Sequence, residues 1–296
     1  MFKRLMLVVL LVMAMAIPAY ALTPVWDSSN LEVGVEYGYS HQDIESVNTI
    51  GAGIGSFLDV DIVNKTENVK EWSFLATLGY KVCPMVTPYL ILGEGFINLD
   101  QSVSANIRLG DWSESIGLLT TQLRGASGFV FGGGAKGDLL EFTNGIKIGY
   151  DTRWTTFTAD SNERSAVLLP GMISYNADND MEATMSVFNF DMVVSRYFDL
   201  VEKTKNEDGT TTERKKYGVE GITPFIGGRY THSDLNVKND IGIEDFASIR
   251  TESELQGNMI SAIGGINVAI NKHLDASIGG IVGQENGVQV KCIYRF

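Results

Sequence analysis

Two of the chain's three histidines sit in segments that echo each other. Tyr39 to Asp43 reads YSHQD, and Tyr230 to Asp234 reads YTHSD. A histidine and an acid two residues apart on an extended strand share one face. A carboxylate beside an imidazole suits general-base chemistry. Two His-x-Asp pairs could also offer ligands to a metal. Structural zinc, however, needs four well-placed ligands, and nothing in this spacing enforces them. The plainer reading is that each echo marks a strand giving way to a polar loop, and short motif matches mislead often enough to favour it. The third histidine, His273, falls in a short turn. No G-x-S-x-G nucleophile elbow occurs. The run GFVFGGGAKGD, Gly128 to Asp138, misses the G-x-x-x-x-G-K-[ST] spacing of a phosphate loop. Its glycines fit a strand that needs close approach or curvature. No catalytic residue, metal or cofactor is expected.

The two ends are more informative. Residues 1–21 have the form of a secretory signal: Lys3 and Arg4, an apolar run from Leu5 to Ile17, then Ala19-Tyr20-Ala21 as a small-x-small cleavage site. No other stretch approaches the roughly 20 apolar residues of a membrane-spanning helix. At the far end, VQVKCIYRF alternates Val288, Val290, Cys292, Tyr294 and Phe296 with Gln289, Lys291 and Arg295, and Ile293 breaks the pattern. This is a period-2 strand running to the last residue. It resembles the C-terminal strand of bacterial outer-membrane β-barrels, which end on an aromatic. The resemblance implies that Tyr294 and Phe296 are an assembly signal read by the outer-membrane barrel assembly machinery. The glycine common upstream in such strands is replaced here by Lys291.

Between the ends the alternation recurs ten times. The segments are Leu31 to Ser40, Trp72 to Val82, Pro88 to Leu99, Gly128 to Asp138, Asn144 to Phe157, Thr184 to Phe198, Thr223 to Leu235, Gly257 to Ile270, Leu274 to Val282 and Gly287 to Phe296. Each has about the 9–11 residues that a tilted membrane strand needs. An even number of antiparallel strands closes without an edge, which lipid demands. Periodicity alone does not separate this from a soluble β-sandwich; the two ends do. The expected fold is an all-β, up-and-down transmembrane barrel over residues 22–296, located in the bacterial outer membrane. Twelve strands is the alternative, with extra strands near Ser165 to Tyr175, because the charged segment from Leu200 to Gly221 is long for a periplasmic turn. Short turns near Cys83, Leu139 to Thr143 and Asn271 to His273 are placed on the periplasmic side. The matching VTPYL (Val86 to Leu90) and ITPFI (Ile222 to Ile226) open two upward strands there, where proline costs no ladder bond. Residues 41–68, 100–124, 159–182 and 236–254 are then outer loops, and QENG at 284–287 is a tight hairpin turn.

With lipid outside, the polar face of each strand lines the lumen. That face is expected to carry Glu32, Glu36, Glu94, Lys136, Lys147, Asp151, Arg153, Asp191, Arg229, Lys291 and Arg295. Both signs are present, so these groups should pair or be wet. The formal net charge is −13. An acidic chain repels nucleic acid, which is excluded as a partner. The remaining partners are outer-membrane lipid and proteins at the surface or in the periplasm. Cys83 beside a turn and Cys292 within the last strand are expected to be unbridged.

Three functions fit. One is a non-catalytic structural or surface-interaction barrel with at most a narrow pore. Another is a small porin for hydrophilic solutes. The third is a rim protease, because the chain is similar in size and strand count to the omptins, ten-stranded outer-membrane proteases with an Asp pair and an Asp-His pair at the outer rim. Asp59 and Asp61, with His232 and Asp234, would be the counterparts. The Asp-His order is reversed, and the Asp pair falls in the first outer loop rather than the second. The first function is the expectation.

Overall fold

A computed structural model describes residues 30–42, 46–54, 58–109, 112–167, 175–205, 211–243 and 247–296. The signal segment at 1–21 lies outside the described residues. Fourteen strands run in chain order: β1 (Leu31–Gln42), β2 (Ser46–Ile54), β3 (Leu58–Tyr80), β4 (Thr87–Leu109), β5 (Trp112–Glu141), β6 (Ile146–Val167), β7 (Tyr175–Arg196), β8 (Phe198–Asp199), β9 (Val201–Lys205), β10 (Thr211–Lys215), β11 (Gly221–Ile243), β12 (Ala247–Ala269), β13 (Leu274–Gly283) and β14 (Glu285–Arg295). Each of β1, β14, β13, β12, β11, β7, β6, β5, β4 and β3 pairs with the next, and β3 pairs back to β1, so the ring closes on ten strands. All these pairings are antiparallel. β2 continues the line of β1 along the upper half of β3.

The twelve-strand alternative fails for a clear reason. Part of the charged segment folds on itself, β9 pairing only with β10 in a separate two-stranded sheet, while β8 clips onto the start of β11. Ser165 to Val167 and Tyr175 belong to β6 and β7; residues 168–174 lie outside the described residues. Short turns follow β3, β5 and β12 near the expected positions, although β5 runs on to Glu141 before its turn. In one of them Gly145 has φ +77°, and its N–H donates to the Phe142 carbonyl at 2.9 Å. Only glycine takes that conformation without strain. Cys83 and Cys292 are both unbridged.

The segments expected as outer loops are mostly strand. β4, β11 and β12 each run 23 residues and β5 runs 30, about twice what a bilayer needs. The barrel wall therefore continues well past the membrane. Its polarity inverts on the way. On β11, Ile222 and Ile226 face outward low in the wall, while Arg229, Thr231 and Ser233 face in. Higher up, Leu235 and Val237 are fully buried inside, and His232, Asp234, Asn236 and Lys238 face out. On β7 the switch falls at Val187 and Phe188. Below it Phe190, Met192 and Val194 face out, and Asn189 and Asp191 face in. Above it Met181, Ala183 and Met185 fill the interior. The low zone suits lipid outside and charge inside. The high zone has the polarity of a protein in water.

Aromatic side chains gather at both edges of the lipid-facing zone. Trp72 stacks on Phe96 at 5.8 Å, and Tyr37 lies 4.9 Å from Phe74. At the short-turn edge Tyr294 packs against Phe296 at 5.0 Å and against His273 at 5.9 Å. Amphipathic rings collect at membrane interfaces in this way.

Candidate functional site: the barrel interior

The lower interior is a network of ion pairs centred on Glu36. Its side chain is only 2% exposed and accepts a hydrogen bond from Arg153, on the opposite wall. Lys291 approaches it at 3.0 Å, and the Gln289 amide also donates to it. Glu36 and Lys291 are direct partners in the β1–β14 ladder, but Arg153 reaches it across the lumen from β6. One turn of the wall lower, Glu32 lies 2.7 Å from Lys136 and 3.1 Å from Arg295, which also meets Asp275. On the far side Arg229 forks onto both oxygens of Asp191 at 2.7 Å. Bidentate pairing of this kind is strong and holds a fixed geometry. Tyr89 donates to Asp151. Its ring passes so close to Gly134 that a Cβ there would stand 2.6 Å from it. The glycine run of β5 thus gives the tyrosine a path across the strand, which is one reason for those glycines.

Of the residues expected inside, Glu32, Glu36, Lys136, Asp151, Arg153, Asp191, Arg229, Lys291 and Arg295 join this network. Lys147 sits at the short-turn end of the barrel, 2.9 Å from Asp138 and 3.4 Å from Glu141. Glu94 does not belong with them. It is exposed on the face of β4 that carries Leu90 and Leu92, directly opposite Phe74 and Phe129, which are also exposed. Tyr89 and Ile91, on the opposite face from Glu94, point inward, Ile91 being 1% exposed. Glu94 is a carboxylate on the lipid face. Such groups cost less there than lysine or arginine, which at the midplane lose about 2–4 kcal/mol. Glu94→Leu should therefore stabilise the barrel by about 1 kcal/mol, measured as a higher urea midpoint with an unchanged slope.

Three inward groups escaped the sequence reading, one of them Gln42, buried at the end of β1. Glu285 was assigned to a hairpin turn but is buried and accepts a hydrogen bond from Thr231 at 2.7 Å. Glu71 preceded the stretch read as strand. Above these polar groups the interior is mainly apolar, with Thr66, Ser233 and Ser253 also buried there. Val69, Leu75, Ile91, Ile97, Leu99, Leu123, Phe157, Met185, Leu235 and Leu255 are buried in one cluster with their smaller neighbours. A polar lumen was expected inside the strands, with outer loops beyond them. The upper half instead has a dry core, because there the outside of the wall faces water.

The histidine echoes do not meet. His41 is on β1 and His232 on β11, with β14, β13 and β12 between them. His232 hydrogen-bonds through Nδ1 to Asn258 Oδ1 at 2.9 Å, and Tyr230 donates to the same oxygen at 2.7 Å. Both histidines face away from the interior. Asp43 and the side chains of Asp59 and Asp61 lie outside the described residues. No group of three or more His, Cys, Asp or Glu side chains suited to a metal occurs among the described residues.

A closed ten-stranded antiparallel ring with an apolar belt, aromatic edges and a charged lower lumen is an outer-membrane β-barrel. No protein-family model matches the chain, and no curated protein does. Among solved structures, the transport unit of the autotransporter AIDA-I from Escherichia coli is 11% identical, each chain covered over 96%, with a TM-score of 0.28. The β domain of the Bordetella autotransporter BrkA is 12% identical over 90% of this chain and all of that one, at 0.35. The Ralstonia pickettii toluene transporter TbuX is 10% identical over 90% of this chain and 89% of that one, at 0.26. Scores this low carry no argument about role; the barrel stands on its own hydrogen-bond register.

Proposed function

We propose that this protein is a sealed, non-catalytic outer-membrane barrel whose wall rises beyond the membrane as a rigid platform for contacts at the cell surface. The observation that carries this reading is the two-layer interior: a cross-lumen ion-pair network below and a dry apolar cluster above. Barrels of about eight strands are filled by side chains, and ten lies near that end of the range. A hydrated path would have to pass Leu235, Leu255 and Met185, all essentially fully buried. Rigid scaffolds commonly carry function on the segments they hold out. Tyr294 and Phe296, packed together at the chain's last turn of wall, are proposed as the contact with the barrel assembly machinery.

A second reading, a narrow channel for hydrophilic solutes, draws on the charged lower lumen. Planar-bilayer recording separates the two. The sealed reading expects no steady single-channel conductance from the wild type or from an Arg153→Ala, Lys147→Ala double variant. Steady conductance whose ion selectivity changes in the double variant would establish the channel instead. The omptin-like reading is carried by no observation: His232 hydrogen-bonds the Asn258 amide oxygen, and the side chains of Asp59 and Asp61 lie outside the described residues.

A further inference from the structure

Where the polar and apolar layers meet, a chamber of about 50 Å³ opens in the interior. It is lined by Gln42, Glu71, Ser73, Arg153, Arg229 and Glu285, among others. At about 10–15 Å³ per occupant, it has room for roughly three or four water-sized guests. Three acceptor side chains converge on it by register. Gln42 stands directly across from Glu285 in the β1–β14 ladder. Its partner on β3 is Val69, two residues from Glu71, whose side chain emerges on the same face.

The cations that line the chamber are already engaged. Arg229 is committed to Asp191, and Arg153 and Lys291 to Glu36. Glu285 has Thr231 and, at 3.8 Å, the guanidinium of Arg229. Glu71 has no hydrogen-bond or ion-pair partner among the described residues. Glu71 and Glu285 thus share the chamber with two guanidinium groups that already serve other carboxylates. Gln42 supplies a separate sign that something is held here. It is 1% exposed, and its Oε1 has no hydrogen-bond partner among the described residues although it lines the chamber. A buried polar group left unsatisfied costs about 1–3 kcal/mol, so such groups nearly always have a partner.

We propose that the chamber binds one small monovalent cation of the sodium class, coordinated by Gln42 Oε1 and the carboxylates of Glu71 and Glu285, with water completing its shell. One positive charge balances Glu71, and the ion gives the orphaned amide oxygen a partner. A divalent ion fits poorly. It takes six or more oxygens, usually with more carboxylate, and here it would face two guanidinium groups. The bound ion would tie β1, β3 and β14 together at the level where the wall changes polarity.

The test uses the whole folded protein in detergent and in crystals. Thallium(I) soaked into wild-type crystals should give an anomalous peak in contact with Gln42, Glu71 and Glu285, and Glu71→Gln should abolish it. In solution, sodium chloride should raise Tm over choline chloride at equal ionic strength by roughly 5 °C in a saturable way. Glu71→Gln should remove that difference. If Glu71→Gln fails to fold, Gln42→Met serves as the second variant, with the same loss expected. Chamber density without anomalous signal, as waters around a protonated Glu71 would give, overturns the proposal. So does a Tm indifferent to the cation.

Discussion

Glu36→Ala destabilises the folded barrel by about 3–5 kcal/mol, the usual consequence of removing one partner from a buried ion pair. The effect is large because three donors lose their acceptor together: Arg153, Lys291 and Gln289. Arg153 and Lys291 then remain as buried cations with reduced compensation. For a chain of this size the loss corresponds to a fall in Tm of roughly 10 °C. The gel-mobility shift between folded and heat-denatured barrel measures it directly. Arg153→Met added to Glu36→Gln should recover part of the loss, because it removes a buried cation that the neutral Gln no longer balances. A double variant no better than Glu36→Ala would mean that the pair does more than satisfy itself, for example by holding β1 and β6 in register.

Leu235→Ala has an expected cost of similar size for a different reason. Leu235 is 0% exposed and belongs to the apolar cluster of the upper wall. Large-to-small changes in such a core cost about 2–5 kcal/mol through lost transfer energy and a residual cavity. Asp234→Ala, one residue away on the opposite face, should stay within about 0.5 kcal/mol. Urea unfolding of both variants measures the contrast. In a conventional membrane barrel with a wet lumen throughout, an inward leucine would face water and its loss would cost little. Equal, small effects at 234 and 235 would therefore deny the dry core.

Much of the wall was legible because alternation survives in single strands. VQVKCIYRF sets its own phase, with valines and aromatics out and Lys291 and Arg295 in, and β14 follows it. The same holds for Lys147, Asp151 and Arg153 on β6. The phase failed on β4. In PYLILGEGF, Tyr89, Leu90, Ile91 and Leu92 are apolar at both parities, so the pattern does not say which set meets lipid. Glu94 was placed inside on the assumption that charge avoids lipid, and that assumption gave the wrong parity to the whole strand. The upper half of the wall was missed because its signal is a phase flip. On β11, apolar positions move from even numbers at Ile222 and Ile226 to odd numbers at Leu235 and Val237. A rule that apolar means outward turns such a stretch into loop. Glu71, Glu285 and Gln42 were lost with it, since all three fell in or beside segments read as turns. Which charges pair across the lumen was not legible at all. Glu36 and Arg153 lie 117 residues apart, and only closure of the ring brings them together.

The inversion of the wall is the central claim, and labels along β11 test it most directly. Single cysteines at Ile226, Asp234 and Leu235, in a background without Cys83 and Cys292, would carry nitroxide labels in reconstituted bilayers. Collision with oxygen reports lipid, and collision with a water-soluble nickel chelate reports solvent. The label at 226 should be reached by oxygen alone, the label at 234 by the chelate, and the label at 235 by neither. Lipid exposure at 234, or ready access of the chelate to 235, would contradict a wall that turns its apolar face inward above the membrane.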